Sequence, residues 1–227
     1  MIKPLNFTIE KWPITKTQMI EIIGAYDQAL FVWINSAGTP FWDPFWLVVT
    51  NKWSSIPLYV VLLFLLRQYY SWRQVIQTLV VMAVMILVTD QLANLFKYIL
   101  VQRPRPCREE ALQEGLRMVA SYCGRYGYFS AHAASASALA SFLIRWIRDY
   151  SGRPRISTEG FISKVIALST LRFWIVLLLI WAVALGYSRI YVGVHYPFDV
   201  LTGWMVGLVL GGFVFYPLQR WMIRRFS

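Results

Sequence analysis

Charged and reactive side chains are scarce in this chain. Of its 227 residues only 15% are charged, two are cysteine and two are histidine. Two histidines with no carboxylate cluster beside them do not make a common catalytic or structural metal set, so no metal and no other cofactor is expected. Acidic residues are the scarcer charge, 11 against 22 Lys and Arg. Such a basic balance in a soluble protein would raise nucleic acid as a partner. Here it reads as loop charge that sets membrane topology, and no nucleic-acid partner is expected. The opening "MIKPLNFTIEKWP" has neither a long apolar core nor a small-residue cleavage site, so no removable signal peptide is expected.

What the chain does have is apolar surface. It is 58% hydrophobic and 17% aromatic, with a mean hydropathy of +0.50. A soluble domain of this length could not bury that much, so the fold class expected is all-α: a polytopic transmembrane helical bundle. Five stretches are long or apolar enough to propose as spans. They begin near Ser55 ("SIPLYVVLLFLL"), Val75 ("VIQTLVVMAVMILVTDQLANLF"), Tyr128 ("YFSAHAASASALASFLI"), Leu171 ("LRFWIVLLLIWAVALGY") and Phe198 ("FDVLTGWMVGLVLGGFVFY"). A sixth is added if "PFWLVVT" enters the membrane. Residues 1–54, rich in tryptophan and containing the amphipathic "YDQALFVWINSAG", read as an interfacial segment anchored by aromatics.

Five crossings place Arg67, Arg73, the basic 145–172 segment and the tail Arg220, Arg224 and Arg225 on one side. The positive-inside rule makes that side cytoplasmic. The loops 101–127 and 187–197 then face outward, which in a bacterium is the periplasm of an inner-membrane protein. Cys107 and Cys123 share the outward loop, so they are a disulfide candidate in an oxidising compartment. In the chain-entropy picture such a bridge contributes ~3 kcal/mol. Gly203, Gly207 and Gly211, four residues apart, predict a close helix–helix seam, within one chain or between two; the oligomeric state stays open.

Three polar clusters fall on the outward side. "KYILVQRPRPC" carries Lys97, Arg103 and Arg105; "YFSAHAAS" carries Ser130 and His132; "SRIYVGVHYPFD" carries Arg189, His195 and Asp199. Guanidinium forks and an ammonium around one point suit a phosphate. A helix N-terminus at Ser130 and Ala131 would add backbone donors. Two imidazoles divide the remaining work between nucleophile and proton donor. His195 and Asp199 are four residues apart, so a helix starting near Pro197 brings them together, and the carboxylate then fixes the imidazole's tautomer. Each piece alone has a plainer use as a topology signal, a lipid-headgroup contact or a helix cap.

These residues resemble a known family. "SRIYVGVHYPFD" fits SR-x5-H-x3-D, the third motif of the type-2 phosphatidic acid phosphatase (PAP2) superfamily. "FSAH" is similar to its second motif, usually PSGH, and "KYILVQRPRP" to its first, usually K-x6-RP. The resemblance covers roughly residues 40–220 and implies a metal-independent membrane lipid phosphatase, with 55–227 as its catalytic domain. His195 would be the nucleophile, Asp199 its orienting partner and His132 the general acid. Lys97, Arg105, Arg189, Ser130 and the Ala131 amide would hold the phosphate, with Arg103 as an alternative cation. The partners implied are bilayer lipids and a lipid phosphate substrate such as lipid A or undecaprenyl diphosphate. The alternatives are a lipid phosphotransferase using the same phosphohistidine, and a lipid-phosphate binding or transport protein without turnover.

Two departures from the motifs carry consequences. Lys97 precedes Arg105 by eight positions, one more than usual. On a regular helix the extra residue would swing Lys97 about 100° away from the site, unless a π-bulge absorbs it. Ala131 replaces the usual glycine, keeping the amide donor and adding a methyl.

Overall fold

A computed structural model describes residues 15–150 and 171–226. Residues 1–14, 151–170 and 227, which include Trp12 and most of the basic 145–172 segment, lie outside the described residues. The described chain is helical; no strand forms among the described residues, and one isolated bridge pairs Pro104 with Tyr126.

The helix starts follow from local chemistry. Helix α1 (Lys16–Ser36) is capped by Thr15 and α4 (Trp72–Leu95) by Ser71, each in a reciprocal box with the glutamine three residues on. Proline in the first turn opens α2 (Asp43–Thr50), α3 (Ile56–Tyr69) and α7 (Pro197–Val209). The remaining helices are α5 (Ala131–Tyr150), α6 (Leu171–Tyr191) and α8 (Tyr216–Phe226). Helix α4 runs on through a π turn, Phe96–Leu100, and a second π turn, Leu210–Phe215, joins α7 to α8.

Three helices among the described residues are long and apolar enough to cross a membrane: Trp72–Leu100, Arg172–Tyr191 and Pro197–Phe226. The bent pair Asp43–Thr50 and Trp53–Tyr69, at 77°, makes a fourth if it counts as one span. The five expected stretches therefore differ in kind. Helix α3 is only 14 residues long. Helix α5 is long enough, but its face is Ala, Ser and His rather than aliphatic. The reason is its position: α5 is the central helix, packed against α4, α6 and α7, with Ala133, Ala134, Ala138, Phe142, Leu143 and Trp146 buried. A helix sheathed by protein has no need of a lipid-soluble surface. The outer helices show the complementary pattern, with Val80, Leu87, Ile180, Val183, Met205 and Phe213 exposed.

The glycine seam lies within the chain. A side chain on Gly203 would run into the Ser130 carbonyl, on Gly207 into that of Ala134, and on Gly211 into that of Ala138. Four-residue steps on α7 thus match four-residue steps on α5, and the two backbones meet along the whole seam. This contact fixes the N-terminal ends of α5 and α7 side by side, which is where the polar motifs lie.

The N-terminal helix belongs to the same packing. Asp27, Phe31 and Asn35, one turn apart, form its buried face. Asn35 accepts from Arg117 N at 2.8 Å and donates to the Arg117 and Tyr191 carbonyls at 3.0 and 2.9 Å, tying the 101–127 loop to the end of α6. In that loop Cys107 and Cys123 form a disulfide, with their Cα atoms 6.6 Å apart.

Candidate active site

The first cluster reaches the site through the π turn. Phe96–Leu100 winds one residue wider than an α-helix, which absorbs the extra position between Lys97 and Arg105. Lys97 is consequently buried, within electrostatic reach of Arg105, Arg189 and Asp199. Past the helix the chain runs antiparallel to residues 125–127. Arg105 N donates to the Arg125 carbonyl at 3.2 Å, and Gly127 N to that of Arg103 at 2.9 Å. The Arg105 side chain is held by the Tyr126 carbonyl, which accepts from Nε at 2.8 Å.

The second cluster is a helix start. Ser130 is fully buried; its N–H donates to the Asp199 carbonyl at 2.9 Å, and its hydroxyl accepts from Ala133 N at 3.5 Å. This bond and the glycine seam aim the N-terminus of α5, with the Ala131 amide and the His132 ring, at the residues around Asp199.

The third cluster turns back on itself. Arg189 closes α6, and its carbonyl accepts from both Val194 N and His195 N, at 3.1 and 3.2 Å. The turn needs Gly193, whose φ is +86° and where a Cβ would sit 2.8 Å from the Arg117 carbonyl. Arg189 is anchored from outside the motif, its Nη1 donating to Thr50 Oγ1 at 2.5 Å. Its buried Nε has no hydrogen-bond partner among the described residues.

Asp199 is the hub. His195 Nδ1 lies 3.4 Å from Oδ2, Tyr196 N donates to the same oxygen at 3.0 Å, and Arg103 Nη1 donates to Oδ1 at 3.2 Å. Arg103 is also 2.5 Å from Asp27 Oδ2 and lies 3.9 Å over the Tyr196 ring. Asp27 in turn accepts from Phe198 N at 2.9 Å, in the first turn of α7. So Arg103, read from the sequence as an alternative phosphate cation, has its charge engaged between two buried carboxylates.

The resulting field is lopsided. Lys97, Arg105 and Arg189 face Asp199, which Arg103 already partly neutralises, and Lys97 is also within reach of Asp90. Burial holds the His195 imidazole well below its usual pKa, and the cations Arg105, Arg189 and Lys97 push the same way; a hydrogen bond to Gly127 opposes them. This environment favours the neutral imidazole; with the ring proton on Nδ1, facing Asp199, Nε2 carries the free lone pair. His132 shares the field of Arg189, His195, Lys97 and Arg105, so the two imidazoles and the three cations occupy one region.

Four contributors escaped the sequence reading. Asp27 and Asn35 sit in a segment that looked like an anchor, yet with Phe31 they repeat at four-residue spacing, a signal of a buried face. Thr50 and Gly127 lie outside any motif. A Cβ on Gly127 would sit 3.1 Å from Arg105 Cγ and 3.2 Å from Asp199 Oδ2.

A helical membrane bundle with clustered cations beside a His–Asp pair defines a class, and comparison with known proteins places the chain in it. The model of the PAP2 superfamily matches residues 75–223, and the chain belongs to that family. It is 30% identical to a lipid A 4'-phosphatase of Bacteroides thetaiotaomicron, over 91% of this chain and 83% of that one. A lipid A 4'-phosphatase of Porphyromonas gingivalis is 27% identical over 89% and 79%. The crystal structure of a transmembrane PAP2-type phosphatidylglycerolphosphate phosphatase from Bacillus subtilis shares the fold. Its TM-score is 0.60 at 18% identity, covering 91% of this chain and 88% of that one. This chain is thus a membrane lipid phosphatase.

Proposed function

We propose that the enzyme removes phosphate from a lipid A-type phosphomonoester at the periplasmic face of the bacterial inner membrane, through a phosphohistidine on His195. The observation that carries this is the neutral, buried His195, oriented by Asp199 and surrounded by Lys97, Arg105 and Arg189. Support for the substrate comes from the names of the two relatives. Support for the orientation comes from the charge bias of the sequence and from the disulfide, which sits at the same end as the polar motifs. In this reading the chain crosses five times, with α3 and α5 completing the three long spans.

The phosphoryl oxygens lie among Lys97, Arg105, Arg189, the Ser130 hydroxyl and the Ala131 amide. Nε2 of His195 attacks phosphorus as the bond to the leaving oxygen breaks, and His132 gives that oxygen its proton. Asp199 stabilises the imidazolium character that develops on His195. Water then attacks the phosphohistidine, His132 takes its proton, and the P–N bond breaks. The guanidinium and ammonium groups stabilise charge gathered on the phosphoryl oxygens, a contribution of roughly several kcal/mol. Side chains, one backbone amide and water supply every group in this sequence, and no step calls for a metal.

The test is phosphate release from purified lipid A, undecaprenyl diphosphate and phosphatidic acid, with and without EDTA. Acid-stable and acid-labile labelled protein is counted after quenching with 32P-labelled substrate. Lipid A should be the best substrate, EDTA should have no effect, and an acid-labile label should vanish in His195→Ala. Normal turnover by folded His195→Ala would overturn the assignment.

A further inference from the structure

Beside His132 lies a cavity of about 340 Å³ between α3, α4, α5 and α6. Its character differs from that of the clamp. Tyr59 and Trp181 meet edge to face at 6.1 Å, and Trp181 Nε1 donates to Ser55 Oγ at 3.1 Å. Ser135 shares a hydroxyl hydrogen bond with Thr89 at 2.9 Å. No Lys or Arg lines the cavity; its one formal charge is the carboxylate of Asp90.

Asp90 stands out as a carboxylate on an apolar helix, with its side chain exposed at the edge of the cavity. It lies within the 29-residue span Trp72–Leu100, seven residues before Lys97, or about 10 Å along the helix axis. A carboxylate within such a span is uncommon, and where one persists it generally serves a site. Asn94 donates to its Oδ2 at 3.3 Å. Oδ1 makes no hydrogen bond among the described residues.

We infer that this cavity receives the leaving group, and that Asp90 selects leaving groups that are neutral and rich in hydroxyl or amide donors. The inference rests on the reading of His132 as the acid, because the leaving oxygen then sits at the cavity mouth. When a sugar or polyol phosphomonoester is cleaved, the P–O bond breaks, the oxygen takes the proton of His132, and a neutral alcohol remains. Its neighbouring O–H or N–H groups donate to Asp90 Oδ1, and its flat faces pack on Tyr59 and Trp181. When a prenyl diphosphate is cleaved, the departing group is a phosphate monoester that keeps negative charge. That charge would face the Asp90 carboxylate, and like charges repel. The carboxylate thus turns a clamp that accepts any phosphoryl group into a site that discriminates by what the phosphoryl group is attached to.

The decisive measurement is a ratio. Full-length enzyme in detergent micelles is assayed for phosphate release from lipid A and from undecaprenyl diphosphate, and kcat/KM for the diphosphate is divided by that for the monoester. Asp90→Asn should raise the ratio about tenfold or more, and Asp90→Glu should leave it near the wild-type value. Asn94→Asp, which adds a second carboxylate one turn away, should lower it; this arm stands even if Asp90→Asn does not fold. Asp90 also feels the charge of Lys97. A variant that changes both substrates equally would therefore report on the clamp alone and would overturn the proposal, as would an unchanged ratio. Wild-type enzyme that cleaves neither lipid would instead overturn the functional reading itself.

Discussion

The two ends of the central helix α5 carry polar networks of similar size and opposite balance. At its C-terminal end Asp149 accepts from the Tyr216 hydroxyl at 2.5 Å and pairs with Arg220, while Arg145 donates to the Gly212 carbonyl at 2.8 Å. Nearby, Gln219 Nε2 donates to the Tyr70 hydroxyl at 3.0 Å and to Thr78 at 2.9 Å. Each of these cations has an acceptor, and the network joins α4, α5 and α8. At the N-terminal end Arg103 is matched between Asp27 and Asp199, and Arg117 of the outer loop is paired with Asp43 at 3.0 Å. Lys97, Arg105 and Arg189 are positioned by backbone carbonyls, a threonine and burial, leaving net positive charge in the site. Matched charges at one end hold helices together; surplus charge at the other suits the phosphate of the proposed reaction.

The comparison breaks most visibly at its two arginine–carboxylate links. Asp27 and Asp199 are fully buried, whereas Asp149 and Arg220 are each about one-third exposed, at 33% and 35%. Removing one partner of a buried pair leaves an uncompensated charge and costs about 3–5 kcal/mol. Removing one partner of an exposed pair costs about 1 kcal/mol or less. Thermal unfolding in detergent should therefore show Arg103→Met strongly destabilised and Arg220→Met nearly unchanged. Phosphate release should fall in the first variant and persist in the second. Equal effects of the two would remove the distinction.

A smaller effect separates the ends by pH. The folded state holds His195 neutral, with its pKa below the ordinary 6.5. Below about pH 6.5 the unfolded chain takes up a proton there that the folded chain refuses. Stability from this group is complete above pH 6.5 and is lost as pH falls toward the folded value. Each proton contributes at most about 1.4 kcal/mol per pH unit. Unfolding midpoints between pH 8 and 5 should thus fall more steeply for wild type than for His195→Gln, and parallel slopes would contradict a neutral His195.

Much of this site was legible in the sequence because its parts are local. The spacing of His195 and Asp199 follows from one helical turn, and the eight-residue gap from Lys97 to Arg105 forecast either a misdirected lysine or a π turn. The structure has the π turn. The glycine seam was equally readable, though only the structure shows its partner to be α5 of the same chain. The spans were harder, since hydropathy scores contact with lipid, and α5 is surrounded by helices. Asp27 and Thr50 were hidden for a different reason: they act on residues far along the chain, Arg103 and Arg189. No periodicity in one segment announces a partner in another.

Gly127 is such a case, and it gives the smallest predicted effect. It lies in no motif, yet a methyl there would press on Arg105 Cγ at 3.1 Å and Asp199 Oδ2 at 3.2 Å, with His195 Nδ1 at 3.6 Å. Those distances ask neighbours to yield by a few tenths of an ångström, and both crowded groups are already fixed, Arg105 by the Tyr126 carbonyl and Asp199 by three donors. Gly127→Ala should therefore cost little stability but shift the His195–Asp199 geometry, lowering kcat by about tenfold with KM less affected. Gly115→Ala in the same loop, where a Cβ meets nothing within 4 Å, should leave kcat unchanged. Equal behaviour of the two alanines would mean that the His195–Asp199 pair has slack on its loop side, and that its orientation comes from α7 alone.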